Sequence, residues 1–156
     1  MAEETKQAVS QAQAPGFSNL SFKMLDPTKL KQILGAGLGP KIDSIVLFCN
    51  IEGSIVAKAG NDDNLHSQAA VLANICHEYI EFGCEAFNEN KLQALFIQHD
   101  SALYVAKPIY GLVLCFVCKS DANMGLVRSK VDVMSANLEK SLSGLESYLS
   151  PVQEQV

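Results

Sequence analysis

Hydrophobic residues change their spacing several times along this chain, and each change marks an element. Asp26-Pro27 opens the first, with an aspartate able to cap a helix and a proline suited to the first helical position. Leu25 before the cap and Leu30 at the fourth helical position have the spacing of a hydrophobic staple. Leu30, Ile33 and Leu34 form a short apolar stripe, and Gly35-Ala36-Gly37-Leu38-Gly39-Pro40 stops the helix. Strands are predicted at Ile42–Cys49 and Ser54–Ala59, around a hairpin loop Asn50-Ile51-Glu52-Gly53. The run Ile45–Cys49 is apolar on both faces, which predicts a central strand. Gly60–Asn64 is a polar loop, and Leu65–Phe82 has helical spacing that ends at Gly83. A loop over Cys84–Asn90 leads to three further strands, Leu92–Gln98, Ala102–Lys107 and Leu112–Cys118. Their short connections imply antiparallel neighbours, and Leu112–Cys118 reads as a second central strand. Asp121 or Asn123 caps a long last helix reaching Tyr148. Its stripe is Met124, Val127, Val131, Met134, Leu138, Leu142 and Leu145, and Ser150-Pro151 ends it.

This order predicts an α+β fold, with a five-stranded antiparallel sheet carrying helices on both faces. Residues 1–22, rich in Ala, Gln, Glu and Ser and broken by Pro15-Gly16, are expected to be a flexible tail. Residues 23–149 form the domain and 150–156 a second tail.

Composition narrows the function. A chain of 156 residues holds one ordinary domain with one real core. Its net charge is −5, and Arg128 is the only arginine among twelve basic residues. Nucleic-acid binding requires clustered Lys and Arg, so that class is excluded. There is no apolar run of membrane-spanning length, and the first residues lack a signal-peptide pattern. Ala2 stands where myristoylation would need glycine, and Val156 does not end a prenylation box. Any membrane association is therefore expected through partners. Five cysteines, mostly in apolar segments, fit reduced thiols in the cytosol.

No catalytic or metal constellation survives inspection. Cys115-Phe116-Val117-Cys118 is a C-x-x-C by letter, but residues three apart in a strand face opposite sides. His77-Glu78-Tyr79-Ile80-Glu81 begins like a zincin helix and lacks the second histidine. His66 and His77 are about 16 Å apart on helix geometry, too far to share a metal. His99-Asp100-Ser101 lies in one loop, where turn chemistry explains it better than a triad. Gly35-x-Gly37-x-Gly39 follows a helix and opens a strand, the reverse of a dinucleotide fingerprint. Asn19-Leu20-Ser21 is a glycosylation sequon by letter only. Asp62-Asp63 fits helix N-terminal charge. No catalytic residue, cofactor or metal is assigned.

Two surfaces are unfinished instead. On the middle helix, Leu65, Ala69, Leu72, Ala73, Cys76, Tyr79 and Ile80 make one stripe, and Val71, Ile75 and Phe82 an adjoining one. Together they span about 200°, against about 100° for one-sided packing. The third strand, if at an edge, is apolar and carries neither Pro nor internal charge, which invites pairing with another chain. The second strand, by contrast, carries Lys58. A dimer joining helix to helix and edge to edge is expected.

Asn50-Ile51-Glu52-Gly53-Ser54 before a strand, the Ala-rich helix Ala69–Tyr79, and Gly83-Cys84-Glu85-Ala86-Phe87-Asn88-Glu89-Asn90-Lys91-Leu92 resemble the roadblock family. Within it they are most similar to the roadblock subunits of the Ragulator complex, an adaptor of MAPK and TOR signalling on late endosomes and lysosomes. Met24-Leu25-x-Pro27 adds to the likeness, which covers Met24 to Leu142. The resemblance implies the five-stranded sheet, with the first and last helices on one face and the middle helix on the other. It implies a non-enzymatic scaffold that heterodimerises with a second roadblock subunit. The expected interface is Val71, Asn74, Ile75, Glu78, Phe82, Leu92, Ala94, Phe96 and Gln98. It further implies assembly with a lipidated Ragulator wrapping subunit, docking of Rag GTPases, and a place on the cytosolic face of late endosomes and lysosomes. The alternative is a dynein light chain of the roadblock type, against which the long last helix argues. A direct role in GTP hydrolysis would need an arginine finger at Arg128, which the pattern puts within a helix rather than on a mobile loop.

Overall fold

The computed structural model describes residues 26–89 and 91–145. The tails at 1–22 and 150–156, the staple residue Leu25, the Asn19 sequon, Asn90 and the end of the last helix toward Tyr148 lie outside the described residues.

Helix α1 spans Pro27–Gly35. The Asp26 carboxylate accepts from the backbone N–H of Thr28 at 2.9 Å and of Lys29 at 3.4 Å. Strand β1 is Ile42–Cys49 and β2 is Ile55–Gly60. The hairpin between them closes where Gly53 N–H donates to Cys49 O at 2.9 Å, with Gly53 at φ +69°. Helix α2 is Leu65–Glu78.

The chain does not leave the helical path at Gly83, as the glycine suggested. A wider turn, Tyr79–Gly83, in which Cys84 N–H donates to Tyr79 O, leads straight into a short α3, Cys84–Ala86. Gly83 keeps right-handed angles, φ −68° and ψ −38°. A Cβ there would stand 2.7 Å from Tyr79 Cδ2, so this glycine admits a ring rather than ending a helix. The Tyr79 ring in turn stacks on Phe87 at 5.9 Å between centroids. Asn88, at φ +54°, supplies the left-handed stop five residues later.

Strands β3, Leu95–Gln98, β4, Ala102–Ile109, and β5, Leu112–Lys119, complete the sheet. The order is β2-β1-β5-β4-β3, and every pair is antiparallel. The two runs apolar on both faces, β1 and β5, are interior strands, as the pattern required. The third strand is an edge, as expected, yet four residues long rather than seven. Helix α4, Met124–Leu142, is capped by Asn123, whose Oδ1 accepts from Leu126 N–H at 3.0 Å; a single tight turn, Ser143–Leu145, follows.

The sheet separates two cores. On one face α1 and α4 bury Leu30, Leu34, Val127, Val131 and Leu138 against Ile45, Leu47, Leu114, Phe116 and Cys118. On the other, α2 lays Leu65, Ala69, Leu72, Ala73 and Cys76 on Val46, Phe48, Val113, Cys115 and Val117. Helices one and last thus share a face and the middle helix takes the other. The stripe of α4 begins at Val127 rather than Met124, which is 45% exposed in the first turn.

Candidate docking surface

The chemical motifs are absorbed by the fold. Cys115 and Cys118 lie in different cores, on opposite faces of β5. Burial pushes the Cys76 and Cys118 thiols up to about 11, and Cys115 further still. The His99–Ser101 segment is the turn of the β3–β4 hairpin. There His99 N–H donates to Ala102 O at 2.8 Å, and the His99 ring meets Tyr104 edge-on. A Cβ on Gly37 would come within 2.5 Å of Met134 Cε and 2.6 Å of Ile45 Cδ1, so the glycine-rich turn serves close packing. Asp62 accepts from Asn64 N–H at 2.9 Å and shapes the turn ahead of α2. Arg128 lies within α4, 3.5 Å from Asp132 and over the ring of Phe96. Among the described residues no group of three or more His, Cys, Asp or Glu could hold a metal, and no helix is long and apolar enough to cross a membrane.

The middle helix is different. Its second stripe finds little cover among the described residues: Val71 is 60% exposed, Phe82 62%, and Ile75 is half-buried. Asn74 and Glu78 are exposed beside them. Continuing along the chain, Phe87 is 67% exposed, its ring against Tyr79. Between α2 and the β3–β4 hairpin runs a groove of about 240 Å³, lined by Ser67, Gln68, Val71, Leu72, Ile97, His99 and Tyr104. On its wall the side-chain oxygen of Gln68 is buried without a hydrogen-bond partner among the described residues. Burial, and after it the charge of Asp62, raises the Tyr104 phenol above its ordinary range. Beyond the groove lies the outer edge of β3, which among the described residues pairs only with β4.

The register divides the strand part of the expected interface between the two faces of the sheet. Leu95 and Ile97 pack on the α2 side of the sheet, whereas Phe96 packs on the α1–α4 side. Gln98, two residues on in the strand, shares its parity, and Ala94 precedes β3. Ile97 and Tyr104, which sequence reasoning passed over, line the groove beside α2, and the Phe96 ring lies on the other face of the sheet. Leu92 lies before β3, only 8% exposed, inside the α2 core; its side chain is already occupied. Of the nine expected residues, the structure gathers Val71, Asn74, Ile75, Glu78 and Phe82 on one open flank.

No protein-family model matches the sequence. Solved structures do resemble this one. A Roadblock/LC7 domain from Streptomyces avermitilis superposes with a TM-score of 0.66 at 15% identity, covering 72% of this chain and 97% of that one. MglB of Myxococcus xanthus gives 0.69 at 17% identity, over 77% of this chain and 99% of that one. MglB with tetrameric arrangement gives 0.64 at 14% identity, over 80% and 92%. With the same sheet and helices over nearly the whole of those domains, the chain has the roadblock/LC7 fold.

Proposed function

We propose that this chain is a non-catalytic adaptor subunit that pairs, through α2 and the edge of β3, with a second roadblock-fold chain. The observation that carries the reading is the open apolar flank of α2 beside an unpaired strand edge. Burying Val71, Ile75 and Phe82 removes apolar surface from water, and an added strand satisfies the backbone groups of β3. The unpartnered Gln68 oxygen supports it too, since a buried acceptor without a donor costs about 1–3 kcal/mol that a partner's donor would recover. The tetrameric arrangement of one MglB structure is a precedent for assembly on this fold.

The finer reading rests on the sequence resemblance carried by Asn50–Ser54 and Gly83–Leu92. It makes the chain a Ragulator-type scaffold subunit held at the cytosolic face of late endosomes and lysosomes by a lipidated wrapping subunit. There it would dock Rag GTPases for TOR and MAPK signalling. Affinity purification of the tagged full chain from its own cells, followed by mass spectrometry, tests this. Recovery of a second roadblock subunit together with Rag GTPases supports it. Recovery of dynein intermediate chain instead moves the assignment to the motor-adaptor branch.

A further inference from the structure

Between Lys58 and Lys91 the chain holds no lysine or arginine. The second half of that stretch carries Glu78, Glu81, Glu85 and Glu89, all exposed. Among the described residues the only ion pair these four carboxylates make is that of Glu81 with His77, at 3.5 Å. Spacings of three and four residues set Glu78, Glu81 and Glu85 beside one another along the helical path, where like charges repel. They also crowd its C-terminal end, where the helix dipole favours cations. On α4, by contrast, Asp132 meets both Lys107 and Arg128, at 2.8 and 3.5 Å.

An aromatic ring stands among these charges. Asn88 N–H donates to Glu85 O at 3.1 Å and Glu89 N–H to Cys84 O at 2.9 Å. These bonds wind Cys84–Glu89 into one turn and keep Glu85, Phe87 and Glu89 close together. One face of the Phe87 ring stacks on Tyr79, and the side chain is still 67% exposed. The segment thus holds two unfavourable features at once, crowded carboxylates and a wet aromatic, and neither is offset among the described residues. Local rules broken together in this way are characteristic of functional sites. Both features have one remedy. A guanidinium or ammonium group between the glutamates relieves their repulsion and can lie on the open face of the ring. An apolar side chain beside it removes the ring from water. A membrane surface of anionic lipid would be repelled by the same charges.

We propose that the turn Tyr79–Glu89 is a second docking site, which takes a basic amphipathic segment of a third protein. Its arginines or lysines sit against Glu81, Glu85 and Glu89, and an apolar residue caps Phe87. The site uses none of Val71, Asn74 and Ile75, so it does not rest on the pairing proposed above.

The probe is a fluorescein-labelled synthetic peptide of about 18 residues, about five helical turns, with lysine and arginine on one face and leucine on the other. Its anisotropy is followed against the full chain. Saturable binding is expected, weakening as salt rises. Glu85→Gln with Glu89→Gln should weaken it at least about tenfold, and Phe87→Ser at least about fivefold, with unchanged far-ultraviolet circular dichroism. Asp43→Asn with Asp63→Asn removes as much charge from exposed positions beside the N-terminus of α2 and should change Kd less than about twofold. Absence of binding, equal losses in the two charge-neutralised pairs, indifference to Phe87→Ser, or equal binding of a peptide with glutamate at the cationic positions would overturn the proposal. Light scattering with the co-expressed roadblock partner separates the two surfaces. The glutamine pair should leave that complex intact, and its loss would assign the acidic turn to the pairing interface and overturn a separate site. If no such partner exists, the peptide titration still decides.

Discussion

The guanidinium of Arg128 lies 5.7 Å from the centre of the Phe96 ring. It clamps the largest side chain of β3 to the α4 face of the sheet. The one arginine of the chain is thus tied to an aromatic ring and to Asp132. An arginine finger needs a free head on a mobile loop. Arg128→Ala is expected to cost about 0.5–1 kcal/mol of stability, the scale of an exposed cation–π contact. Phe96→Ala should cost more, about 1–3 kcal/mol for a half-buried aromatic. Thermal melts of both variants, with pairing measured separately, check this. A Phe96 variant that keeps its melting temperature but loses its partner would place the ring in the interface after all.

The α2 flank makes the opposite prediction. Val71→Asp with Ile75→Asp puts two charges into a desolvated contact and should weaken association by several kcal/mol, at least about a hundredfold in Kd. Far-ultraviolet circular dichroism should remain near native, because Val71 is exposed and Ile75 half-buried. Size-exclusion light scattering with the co-expressed partner reads the result. An undiminished 1:1 complex would mean that the wrong flank of α2 has been assigned.

The cysteines give a pH signature. Cys49, Cys76, Cys115 and Cys118 are buried and Cys84 is partly exposed, so brief alkylation at pH 8 should modify Cys84 first. Burial raises the folded thiols of Cys76 and Cys118 to about 11, whereas an unfolded thiol titrates near about 8.5. Their contribution is full below about pH 8.5 and is lost as pH rises toward 11, because the unfolded chain sheds protons that the folded chain keeps. Denaturation midpoints between pH 8 and pH 10 should therefore fall, and fall less in Cys76→Ala. A native chain whose five thiols all react at one rate would contradict the buried arrangement.

Two glycines separate backbone need from tolerance. Gly60 has φ +97°, and a Cβ there would stand 2.2 Å from Asp43 O. Gly60→Ala should cost at least about 1–3 kcal/mol, a fall of several degrees in Tm. At Gly35, the end of α1, a Cβ would meet nothing within 4 Å. Gly35→Ala should be neutral or gain up to about 1 kcal/mol. Calorimetry on both variants decides, and equal losses would refute the distinction.

Much of this was legible in the chain because alternation and helical period are short-range signals. Strict alternation placed Cys115 and Cys118 on opposite faces, and the wide apolar arc of α2 was visible on a helical wheel. The errors came where one letter has two causes. Gly83 reads as a helix stop, but it is there to admit the Tyr79 ring, a contact invisible in sequence. Leu92 continues the apolar run of β3 and so reads as strand, yet it turns inward beneath α2 before pairing begins at Leu95. Alternation also showed that Phe96 and Ile97 face opposite ways without showing which of them shares a face with α2. That choice depends on how the helices distribute over the sheet, which no local pattern records.

The small side chains beneath α2 bear on how the molecule breathes. Leu65 and Leu72 are its only large buried anchors; Ala69, Ala73 and Cys76 bring the helix close while removing little apolar surface from water. By contrast α4 is held by Val127, Val131, Met134, Leu138 and Leu142. Opening of the α2 layer therefore costs less than global unfolding, and its amides should exchange with solvent well before those of β1, β5 and α4 in the unpartnered chain. A partner that lies along α2 would slow that exchange, so the same helix that offers the docking surface would report, amide by amide, whether the surface is filled.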